Sequence, residues 1–156
     1  MFDQINGLPV HALVLHAAVI FVPLLALGAI VYAVVPKWRA KIGWAVALLA
    51  VVAPASTFVA MESGEKLYDR LISQGLKGKG KEILDDHMGF GKATFWFSLA
   101  LGVVALVMIV LSRRPGGLPK IAGYALSAVM VVLAVISAYF VFRTGDSGAT
   151  AVWGQY

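Results

Sequence analysis

The chain has 156 residues, 60% of them hydrophobic and only 13% charged, where a soluble domain carries about a quarter charged. That balance excludes a soluble enzyme domain and indicates an integral membrane protein with room for one compact unit. The net charge of +5 does not point to nucleic acid, because the basic residues flank apolar stretches, and the lack of cysteine excludes disulfides, thiolate metal ligands and iron–sulfur clusters.

In chain order, the first apolar run covers about 10–35, long enough as a helix to cross a hydrocarbon core of about 30 Å. Its leading segment holds Asp3 and no Lys or Arg, so it reads as a span and not as a cleavable signal, which needs a positive n-region. Pro9 is expected to be the first helical residue. A second span covers about 42–60, and Pro23 and Pro54 each remove a backbone bond and kink their helices. A middle loop over about 61–93 is partly helical: Leu67, Tyr68, Leu71 and Ile72 form the apolar stripe of an amphipathic extension of span two. Spans three and four cover about 94–111 and 121–142. The tail from Phe142 to Trp153, rich in small residues, is expected to fold back over the bundle. The fold class is thus an all-α integral membrane protein, a four-transmembrane-helix bundle forming a single membrane domain over 1–156.

Orientation follows from the short linkers. Lys37, Arg39 and Lys41 stand in one, and Arg113, Arg114 and Lys120 in the other, with no acid in either. The middle loop balances its basic residues with Glu62, Glu65, Asp69, Glu82, Asp85 and Asp86. The positive-inside rule then places both linkers in the cytoplasm and both termini, with the middle loop, outside. A faint echo between Lys41-Ile42-Gly43-Trp44 and Lys120-Ile121-Ala122-Gly123-Tyr124 suggests two related hairpins.

Candidate functional residues gather at the expected outer end. With a rise of about 1.5 Å per residue, His16, Glu62, His87 and Arg143 lie roughly 30–37 Å above the basic linkers, one from each helix. His16, two turns inside span one, is the sharpest of them, since a titratable group within a span by default faces the bundle interior. His11, five residues away and about 140° round the helix, cannot share its face and is placed at the interface, where it remains a further metal-ligand candidate. His87, between Asp86 and the glycines Gly89 and Gly91, would complete with His16 a pair of axial haem ligands from two helices. Glu62, Glu65 and Asp69 form a row of carboxylates at i, i+3 and i+7, whose mutual repulsion a cation must relieve. Oxygen ligands from Glu62 and Glu65 with an imidazole from His87 suit a divalent transition metal, and Arg143 suits the haem propionates or these carboxylates.

Several segments together resemble a family of bacterial four-helix membrane proteins catalogued as domain of unknown function 2231. They are Leu8-Pro9-Val10-His11 through His16, Ser63-Gly64-Glu65-Lys66-Leu67, His87 with Gly89 and Gly91, and Arg143-Thr144-Gly145-Asp146-Ser147-Gly148-Ala149. The resemblance spans essentially the whole chain and implies the same fold in a bacterial cytoplasmic membrane. Its pattern has histidines at positions like His11, His16 and His87. It often has another where this chain has Asp146, which keeps Asp146 as a metal-ligand candidate. Some relatives are fused to Rieske-type domains, which implies electron-transfer surroundings.

The leading expectation is a small membrane protein with a haem b or divalent transition-metal site at its outer face, associated with redox or respiratory metabolism. The alternative is a non-enzymatic accessory subunit whose His, Glu and Arg belt only locks the helix ends. Transport of a metal ion or proton ranks below both, because the spans lack midplane charges. No serine or threonine nucleophile is set up for hydrolysis, so a stand-alone enzyme is not expected. The lipid bilayer is the first partner, and a second copy or a larger membrane complex is the candidate protein partner.

Overall fold

The computed structural model describes residues 4, 5 and 8–154. A two-residue antiparallel ladder pairs Gln4–Ile5 with Leu8–Pro9 in the register Gln4↔Pro9 and Ile5↔Leu8. Four helices follow: α1 (Val10–Val34), α2 (Arg39–Ser73), α3 (Lys79–Ser112) and α4 (Lys120–Trp153). A single 3-10 turn at Pro36–Trp38 joins the first two. Pro9 therefore belongs to the ladder, and the first helix begins one residue later than expected.

All four helices are long and apolar enough to cross a membrane, and the chain is a multi-pass membrane protein. They run up and down: α1 packs on α2 and α4, α3 packs on α2 and α4, and α1 and α3 face each other across the bundle diagonal with little contact. The core is built largely from small residues. Ala26, Ala29, Ala50, Ala53, Ala105 and Ala134 are buried beside Val22, Leu25, Tyr32, Leu101, Met108 and Met130. Small side chains let membrane helices approach closely, which replaces the missing hydrophobic drive in lipid. Large apolar residues such as Leu27, Trp44, Leu48, Trp96, Val107 and Phe142 are exposed and form a lipid-facing surface. Helices apolar all round are what such burial in both core and lipid requires.

Pro54 shows how a local defect is used. Lacking an N–H, it leaves the Ala50 carbonyl without its helical partner. Gly102 of α3 packs against that oxygen so closely that an added Cβ would lie 2.5 Å from it. Nearby, the buried hydroxyls of Thr57 and Ser98 meet at 3.2 Å and tie α2 to α3.

The helices also run past the apolar stretches that betray them. The 35 residues of α2 correspond to about 52 Å of helix, well beyond a core of about 30 Å. The middle region is accordingly two projecting helical ends joined by a turn, with Gly75 and Gly78 at positive φ. The tail does not fold back: it continues α4 to Trp153. Its Thr144, Ser147 and Gly148 pack against α3, as the site below makes clear.

Candidate functional site

At the end of the bundle opposite the basic linkers, two imidazoles meet. His11 of α1 and His87 of α3 have ring centres 6.0 Å apart and planes at 87°. Both side chains are half-buried, and they come from the diagonal helix pair, so the contact lies across the bundle interior. His11 Nδ1–H donates to the Ala60 carbonyl of α2 at 2.9 Å. His87 Nδ1–H donates to the Thr144 carbonyl of α4 at 3.0 Å, with Ser147 Oγ also at 3.0 Å. A carbonyl only accepts, so each Nδ1 must carry the proton, and each Nε2 of the neutral ring keeps its lone pair.

The two halves repeat one another. Ser63 Oγ lies 3.1 Å from Ala60 O, and Ser147 Oγ lies 3.1 Å from Thr144 O. In each hairpin, then, a histidine and a serine converge on the carbonyl three residues before the serine. The next residue is glycine in both. A Cβ on Gly64 would stand 3.2 Å from the His11 ring, and one on Gly148 would stand 3.0 Å from the His87 ring. Absence of a side chain at these two positions is what lets each imidazole approach its neighbouring helix closely. Glu62-Ser63-Gly64 and Asp146-Ser147-Gly148 are the sequence trace of this arrangement. This acid-Ser-Gly repeat is the signal that would have singled out His11, Ser63, Gly64, Ser147 and Gly148 from the sequence.

Around the pair, Thr94 and Thr144 join α3 to α4 through a hydroxyl contact of 2.9 Å. The Arg143 guanidinium lies over the Phe90 ring at 4.7 Å, with its Nε buried and without a hydrogen-bond partner among the described residues. Phe90 in turn packs toward Phe140 of α4.

The other sequence candidates take different places. His16 does not face the interior: it is exposed, and its Nδ1–H donates to the Ala12 carbonyl one turn back at 3.1 Å. The five-residue separation explains this, since turning His11 inward turns His16 out. Glu65 forms an ion pair with Lys92 of α3 at 3.0 Å. Glu62 is half-buried on α2, and Asp69 and Asp146 are exposed. Among the described residues no three His, Asp or Glu side chains converge on a point that could hold a metal ion, so the expected Glu62, Glu65 and His87 trio is not assembled. On the projecting end of α3, beyond the apolar stretch, Lys81 and Tyr68 both donate to Asp85 and hold its carboxyl below the usual range.

Four apolar helices crossing the bilayer, with a paired-imidazole centre at one end, define a small polytopic membrane protein built from two similar hairpins. The family described as predicted membrane protein (DUF2231) matches residues 7–155, and the chain belongs to it. No curated protein and no solved structure matches the chain.

Proposed function

We propose that this protein holds a single metal centre, the iron of haem b or a divalent transition metal, between His11 and His87, and that it serves electron transfer at the membrane. The observation that carries the reading is the His11–His87 pair itself: two rings from diagonal helices, each fixed through Nδ1–H and each, when neutral, with Nε2 left for ligation. Metal-bound histidines characteristically donate their other ring N–H to a carbonyl or carboxylate, which sets tautomer and orientation. His11 and His87 would hold the ion through Nε2, and imidazole nitrogen suits both haem iron and a divalent transition metal. Haem b suits ligands from two helices of a membrane bundle, and the Arg143 cation one layer away suits its propionates. His16, Glu62, Glu65 and Asp146 then act outside the coordination sphere.

The test is an absorption spectrum and metal analysis of protein purified from membranes. A Soret band or one equivalent of metal is expected in the wild type, lost in His11→Ala and in His87→Ala and kept in His16→Ala. A colourless, metal-free wild type would overturn the proposal. It would leave the second reading, favoured by the direct edge contact of the rings, in which the two histidines are a polar clasp between hairpins of an accessory subunit.

A further inference from the structure

At the other end of the molecule, a cleft of about 880 Å³ opens between the α1–α2 turn and the α3–α4 linker. This is within the range of about 300–1,000 Å³ typical of small-ligand sites. Its polar lining is Arg39, Arg113, Lys120, Ser112 and Ser127, and no acidic side chain contributes. Basic residues are expected near an inner membrane surface, but these three line one concave cleft, and Arg39 among them is held in place. The Arg39 Nε and Nη2 donate to the carbonyls of Tyr32 and Ala33 at 2.9 and 3.1 Å, and its guanidinium lies over the buried Tyr32 ring. Arg113 Nη2 comes 3.5 Å from where a Cβ on Gly43 would stand, on the same wall as Tyr32. Ser112 Oγ is buried and finds no hydrogen-bond partner among the described residues.

We propose that this cleft binds a phosphate group, carried by an anionic phospholipid. Three cations gathered between low-dielectric walls repel one another, and an anion placed among them relieves that repulsion. Arg39 is already fixed by the two carbonyls it caps and keeps N–H groups to spare, and the unpartnered Ser112 hydroxyl adds a donor. The same cleft is lined by Val34, Leu118 and Tyr124, and Val34 and Tyr124 are exposed. A headgroup phosphate among the cations therefore leaves acyl chains against an apolar wall, whereas a free phosphate uses only the polar part. Basic pockets between membrane helices take anionic headgroups for this reason.

Native mass spectrometry of the intact, detergent-solubilised protein with phosphatidylglycerol, phosphatidylcholine or inorganic phosphate tests the proposal. The wild type is expected to retain one phosphatidylglycerol per chain, with a preference over phosphatidylcholine on the order of tenfold. Arg113→Gln with Lys120→Gln should abolish that preference. Lys37→Gln with Arg114→Gln, the same charge change on linker residues that do not line the cleft, should preserve it. Melting curves of both double variants without lipid report whether either has lost its fold. Displacement of the lipid by millimolar inorganic phosphate, with the same dependence on Arg113 and Lys120, would support the phosphate site and assign it to a free anion. Equal loss in both double variants, or equal retention of the two lipids, would overturn it. None of these outcomes depends on the histidine centre.

Discussion

The histidine centre depends on what is missing at Gly148. A methyl there would meet the His87 ring at 3.0 Å, with the ring held from the same helix through the Thr144 carbonyl. Gly148→Ala is expected to push the imidazole off that carbonyl, cost about 1–3 kcal/mol by overpacking and displace any ligand carried on Nε2. Gly145→Ala, on the same helix with nothing within 4 Å of its added Cβ, should instead stabilise by about 0.5–1 kcal/mol through helix propensity. Melting temperatures of the two variants, with the absorption spectrum alongside, separate a steric effect from a general intolerance of the segment. His87 was legible as a candidate because it follows Asp86 and precedes Gly89 and Gly91 near the expected outer end of span three. The inward turn of His11 in place of His16 was not: a span that is apolar on every side does not reveal its rotation about its own axis. The rotation is set by a partner 49 residues away, the carbonyl of Ala60.

At the level of elements, the tightest crossing is that of α2 and α3. A Cβ on Gly102 would be 2.5 Å from the Ala50 oxygen and 3.4 Å from the Pro54 ring, and a backbone carbonyl cannot swing aside as a long side chain can. Gly102→Ala should therefore force the two helices apart and lower stability by about 1–3 kcal/mol, while Gly89→Ala, with open space around it, serves as the control. Thermal unfolding followed in detergent reads the difference, and equal melting temperatures would contradict the packing argument. The four spans were visible in the sequence because lipid demands unbroken apolar runs. The continuation of span two was legible too, as the apolar stripe of Leu67, Tyr68, Leu71 and Ile72. The start of α3 at Lys79 and the end of α4 at Trp153 were not, because helix does not stop where hydrophobicity does. Residues 61–73 and 79–93 continue as helix in polar surroundings, held by contacts such as Glu65–Lys92 and Tyr68–Asp85. The tail of α4 stays helical for a related reason: Thr144, Ser147 and Gly148 on one of its faces pack against α3.

For the whole molecule, charge and pseudo-symmetry point the same way. Of 13 Lys and Arg, the linkers at one end take six, namely Lys37, Arg39, Lys41, Arg113, Arg114 and Lys120, with no acid. The remaining seven share the rest of the chain with all eight Asp and Glu and all three His. Two hairpins that repeat the histidine, serine and glycine geometry enter the membrane from the same side, so their connecting linkers must lie on one face. By the positive-inside rule that face is expected to be cytoplasmic. Because the chain has no cysteine, the assignment has a clean test. Gln74→Cys, in the exposed turn between α2 and α3, should react with a membrane-impermeant maleimide on intact cells. Pro115→Cys, in the exposed α3–α4 linker, should react only after the cells are opened. The reverse pattern would put the histidine centre on the cytoplasmic side and the basic cleft in the outer leaflet, where anionic headgroups are not the usual neighbours. The labelling experiment therefore decides which aqueous compartment His11 and His87 face.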